Sequence, residues 1–82
     1  MLKAEIYVTL KDGVLDPQGA TLQRSLETIG FAGLGAVRMG KLIEVSLDGR
    51  DRARAEAEID QMCKRVLTNP VIEQYRFTVR EA

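Results

Sequence analysis

The chain has 82 residues, 12 Lys and Arg against 12 Asp and Glu, one cysteine and no histidine. Zero net charge provides no global field for nucleic acid or an anionic membrane, and no apolar run of roughly 18 residues offers a membrane-spanning helix. A single thiol without histidine excludes an internal disulfide and a zinc-type ligand set. A domain this small buries only roughly 60–65% of its unfolded surface, which leaves association as its remaining stabilising device.

In chain order, residues 3–11 alternate: Ala4, Ile6, Val8 and Leu10 on one side, Lys3, Glu5, Tyr7 and Thr9 on the other. That pattern predicts a half-buried strand. The chain opens directly into this strand, without a basic stretch and apolar run, so no secretion signal is expected. With its lone free cysteine, a reducing, cytoplasmic setting is expected. Lys11-Asp12-Gly13 reads as a polar turn. Asp16 suits a helix N-cap and Pro17 the first helical position. From Pro17 to about Ile29, Leu22, Leu26 and Ile29 make a helical stripe, and Gly30 is the stop.

Gly33 and Gly35 mark a loop, and Val37 and Met39 share one side of a short second strand. Gly40 is expected to take a positive φ in a turn, with Arg38 and Lys41 on either side. Ile43, Val45 and Leu47 share one side of the next strand. Asp51 can cap a second helix whose apolar positions are Ala55, Ile59, Met62, Cys63, Val66 and Leu67. Arg54 with Glu58 and Asp60 with Lys64 are i,i+4 pairs on its wet side, a surface expected to tolerate change. Asn69-Pro70 ends this helix, and a last strand alternates Tyr75, Phe77 and Val79 against Gln74, Arg76 and Thr78.

The order β-α-β-β-α-β predicts one α+β domain over residues 1–82. The simplest packing sets both helices on one face of a four-stranded antiparallel sheet, in a ferredoxin-like arrangement. The other face then carries Tyr7, Leu42 and Arg76 among charges of both signs. It reads either as a solvated face or as a docking surface with an aromatic anchor.

Chemistry is scarce. Cys63 lies inside the apolar stripe with no histidine to activate it, which predicts an inert core thiol. Gly30, Gly33 and Gly35 match neither a P-loop nor a dinucleotide fingerprint. Asp16 and Asp51 are better explained as caps than as a catalytic pair. Arg38, Gly40 and Lys41 could meet an anion, or could form a solvated turn.

Leu15-Asp16-Pro17-Gln18-Gly19 and Val37-Arg38-Met39-Gly40-Lys41 occur together with Tyr7-Val8-Thr9-Leu10-Lys11 and Asn69-Pro70-Val71-Ile72-Glu73. In this combination the chain resembles the PurS family from its first strand to its last. The family is the small subunit of formylglycinamide ribonucleotide amidotransferase. The resemblance implies a non-catalytic assembly subunit in purine biosynthesis. It would join a glutaminase subunit that makes ammonia to a large synthetase subunit that consumes it. ATP and magnesium would be used by the synthetase, and no cofactor is implied for this chain.

A single-chain version of the enzyme resembles two such units side by side, which implies a homo-oligomer, a dimer or dimer of dimers. Asp16, Gln18, Arg38, Gly40 and Lys41 are the implied partner or anion contacts, with Tyr7, Leu42 and Arg76 as a candidate interface. The competing reading is a small-molecule-sensing regulatory module of ferredoxin-like shape. An RNA-binding role is disfavoured, because Leu42 to Leu47 contains no aromatic residue for base stacking.

Overall fold

Period-two alternation makes residues Leu2–Leu10 the central strand, β1, of the computed structural model. The structure describes residues 1–81; Ala82, the end of the expected 1–82 domain, lies outside them. The other elements are α1 (Pro17–Thr28), β2 (Gly40–Leu47), α2 (Arg52–Met62) and β3 (Glu73–Glu81). The sheet order is β2-β1-β3, with both pairings antiparallel. Ile6 lies opposite Ile43 and Phe77 on the inner face, and Tyr7 opposite Leu42 and Arg76 on the outer one. Leu2, Ala4, Ile6 and Val8 are all buried, as the alternation predicts.

One helix covers the inner face. Asp51 caps α2, its Oδ1 accepting from Arg54 N at 2.8 Å. Ala55, Ile59 and Cys63 are fully buried against the sheet. The Tyr75 hydroxyl donates to Asp60 Oδ1 at 2.5 Å, which ties β3 to α2. That bond holds the Asp60 carboxyl below its ordinary value and pushes the Tyr75 phenol up to about 12. Both predicted i,i+4 ion pairs, Arg54–Glu58 and Lys64–Asp60, are present.

A π-helical turn, Cys63–Leu67, extends α2. It closes with Thr68 N donating to Cys63 O at 3.1 Å. The wider turn shifts the angular positions of its own later residues around the helix axis. Val66, expected in the apolar stripe, is 79% exposed.

Two further expectations give way. The sheet has three strands, because residues 37–39 form no strand. Met39 N donates to Asp16 at the start of α1, and the Val37 carbonyl oxygen lies against Gly19 there. Also, of the two helices expected on one sheet face, only α2 contributes to the buried core. Gly19 is the only buried residue of α1, and Ile29 at the end of its stripe is 72% exposed. The molecule measures 50 × 27 × 15 Å with a radius of gyration of 16.1 Å. A globular chain of this length would have about 12 Å. The excess fits a helix held away from the sheet that its own chain forms.

The buried set on β1 and α2 therefore bears the fold. Ile6→Ala should lower stability by about 2–5 kcal/mol in urea unfolding, the range for a large-to-small change at a fully buried aliphatic site.

Candidate functional site

The two strings singled out in the sequence form one joint. Asp16 caps α1, with Oδ1 accepting from Gly19 N at 2.9 Å. Its other oxygen, Oδ2, accepts from Met39 N at 2.9 Å. One carboxylate thus satisfies an orphan donor of the helix and a donor of the segment that leads into β2. These two N–H groups, first Gly19 and then Met39, hold the Asp16 carboxyl below its ordinary value.

The glycines serve close approach. A Cβ on Gly19 would collide with the Val37 carbonyl oxygen. Gly40 does not take a positive φ; it is the first residue of β2, paired with Thr9. A Cβ there would lie 2.5 Å from Val8 O. The expected turn with a free glycine at its tip is therefore replaced by a tight seam against β1.

Arg38 and Lys41 part company across this seam. Arg38 Nη1 lies 3.1 Å from Asp12 Oδ1, and its Nη2 donates to the Leu10 carbonyl. The guanidinium braces the β1–α1 turn instead of extending freely into solvent. Lys41 Nζ lies 3.6 Å from Glu73 Oε2. Glu73 is itself held, its Oε1 accepting from Asn69 N at 2.7 Å.

A cavity of about 270 Å³ opens beside the joint, lined in part by Thr9, Asp16, Gln18, Gly40, Lys41 and Glu73. Four of the residues expected to meet a partner or an anion are thus brought together there, and Arg38 is not. Lys41 is opposed by Glu73 and Asp16, so the cavity holds no net positive charge to attract a phosphate. It suits a polar contact better than an anion.

On the outer sheet face, the Arg76 guanidinium sits 4.2 Å from the Tyr7 ring centroid. These two residues and Leu42 border a shallow concavity of about 420 Å³ that also reaches Lys41 and Gln74. Ion pairs Lys3–Glu44 and Arg80–Glu5 occupy the rest of the face.

No reacting group emerges from either place. Cys63 is fully buried, and burial, with the nearby Asp60 charge, pushes its thiol up. No cluster of three or more metal-ligating side chains exists among the described residues. Asp12 and Glu73 are the residues that sequence reasoning passed over. Their signal was charge complementarity to Arg38 and Lys41, but nothing in the chain order says that these pairs meet.

The chain matches the family model of PurS, phosphoribosylformylglycinamidine (FGAM) synthase, over residues 3–81. It is 46% identical over 74 residues to the phosphoribosylformylglycinamidine synthase subunit PurS of Synechocystis, covering 90% of this chain and 74% of that one. It superposes on the crystal structure of Methanocaldococcus jannaschii PurS with a TM-score of 0.89 at 36% identity, covering 100% of this chain and 99% of the other. A chain of PurLQS from Thermotoga maritima matches with a TM-score of 0.84 at 28% identity, covering 98% of this chain and 99% of that one.

The joint makes two measurable demands. Gly19→Ala should destabilise the chain by about 1–3 kcal/mol in urea unfolding, because the new methyl group must displace backbone. Asp16→Ala should lower the melting temperature at pH 7. A carboxyl whose folded pKa is depressed contributes stability above its unfolded pKa and loses it as pH falls through the folded value. The gap between native and Asp16→Ala melting temperatures should therefore narrow as pH is lowered below 3.8.

Proposed function

The chain belongs to the PurS family, and from that premise we infer that it is the small, non-catalytic subunit of phosphoribosylformylglycinamidine synthase. In this reading it holds a glutaminase subunit and an ATP-dependent synthetase subunit together in purine biosynthesis. Ammonia released from glutamine then reaches formylglycinamide ribonucleotide without escaping to solvent. The observation that carries the reading is the state of Cys63. The only thiol is sealed in the core and the sequence has no histidine, so ammonia must be made on another chain. The PurLQS match supports the assembly role, and a sensing module is not favoured.

Lys41 and Gln18 are the joint's partner contacts in this reading, while Asp16, Arg38 and Gly40 set its shape. Tyr7, Leu42 and Arg76 supply a second contact surface. ATP and magnesium belong to the synthetase subunit, and the complex works in the cytoplasm. No helix among the described residues is long and apolar enough to cross a membrane.

The chain also associates with itself, as a dimer or a dimer of dimers. Two features support this: the extended outline and the apolar side of α1, where Leu22, Ile29 and nearby Phe31 are exposed. Such a stripe on a small domain is stabilised by a second copy. Sedimentation at micromolar concentration should show no dominant monomer, and a well-folded monomer there would contradict the self-association.

The division of labour is tested with the reconstituted complex. Cys63→Ala should leave glutamine-dependent turnover nearly intact, and its abolition in a folded, assembled complex would overturn the non-catalytic reading. Lys41→Ala should reduce glutamine-dependent turnover at least about tenfold, corresponding to ~1.4 kcal/mol of lost coupling. Its effect with ammonia as donor should be milder, since ammonia bypasses the glutaminase. Equal loss with both donors would assign Lys41 to the synthetase step instead.

A further inference from the structure

The sequence predicts a merely solvated outward side for α2, but the structure gives that side a shape. An open groove of about 550 Å³ runs along α2 and the π-helical turn. Ala57, Met62 and Val66 contribute its apolar part, and Arg50, Arg54 and Arg65 line it. Val66 is there because the π-helical turn removes it from the core face.

The charge of the groove is one-sided. Glu58 is its carboxylate, 2.7 Å from Arg50 Nε and 3.4 Å from Arg54 Nε. Three guanidinium groups against one carboxylate leave two positive charges in a chain whose net charge is zero. Arg65 pairs with no carboxylate among the described residues.

We propose that this groove binds an acidic amphipathic segment of a partner subunit, an apolar side chain resting between Met62 and Val66 and its carboxylates meeting Arg65 and the Arg50–Arg54 pair. The proposal rests on the assembly reading and deepens it by naming a surface. Guanidinium groups present a planar fork of donors that matches a carboxylate, and the ion pairs of Glu58 with Arg50 and Arg54 place one carboxylate among them. Arginine beside exposed apolar surface is the composition of interface centres. A phosphoryl ligand fits less well. No aromatic residue lines the groove for a base to stack on, and the Arg54 N–H at its helical end is already taken by the Asp51 cap. A second copy fits less well too, since facing copies would oppose like charges.

The test titrates the full-length chain against the purified glutaminase and synthetase subunits of the same organism, at low and high salt. The variants are Arg65→Glu combined with Val66→Ser, and Arg65→Ala alone. Both sites are exposed, and Arg65 carries no ion pair among the described residues, so the single variant should keep the fold even if the double does not. Expected are a loss of affinity for one partner of at least about tenfold in the double variant, with a smaller loss for Arg65→Ala. The native chain should also be more salt-sensitive than either variant, as screened charge pairing requires. Native and variant chains binding alike would overturn the groove and leave the assembly reading intact. A native chain that binds neither subunit would overturn both. A variant with altered sedimentation would give the groove to a second copy, and competition by inorganic phosphate beyond its ionic strength would give it to a phosphoryl ligand. Either result overturns the proposal.

Discussion

Asp16 makes two backbone hydrogen bonds, and the arrangement of this chain depends on both. A carboxylate that only capped a helix would leave α1 free to swing about its first turn. By also accepting from Met39 N, it pins the start of α1 to the segment that enters β2. Gly19 permits the approach, and Arg38 closes the other side by holding Asp12 and the Leu10 carbonyl. Hydrogen bonds to a charged acceptor are the stronger kind, and here one acceptor is shared between two elements. The helix direction is therefore set by polar geometry at its base and not by packing along its length.

That choice has a cost in burial. A helix of twelve residues whose only buried member is glycine adds little to the core. The hydrophobic core comes instead from one strand face and one helix, with Ile6, Val8, Ile59 and Cys63 as its largest sealed side chains. For a domain of this size such a core is marginal. The same geometry leaves surfaces on several elements exposed.

Three exposed surfaces lie on different elements: the apolar side of α1, the Tyr7–Arg76 face of the sheet and the arginine-lined flank of α2. A connector gains from separate surfaces because binding one partner then leaves the others open. The chemistry is correspondingly quiet. The one thiol fills space in the core, and the carboxylates of Asp16, Asp51, Glu58 and Asp60 are occupied by caps and ion pairs.

The sequence by itself determined what is local. Alternation in residues 3–11 identified the central strand and its buried side, Asp16-Pro17 and Asp51 located both helix starts, and the i,i+4 pairs on α2 came from spacing alone. It also showed that the lone thiol, Cys63, has no histidine in the chain to activate it. Tertiary structure decided what depends on which partner a group finds. The Val37–Met39 segment has strand-like alternation, yet its Met39 N–H went to the Asp16 carboxylate, so no strand formed. Leu22, Leu26 and Ile29 have a core-like spacing, yet the joint carries them away from their own sheet. Val66 has the right spacing to be buried, but the π-helical turn that closes from Thr68 to Cys63 is wider, and Val66 is exposed. In each case the local signal was sound, and a hydrogen bond between residues distant in sequence or displaced by one step in the helix overruled it, because backbone donors must be satisfied before apolar side chains can choose a face.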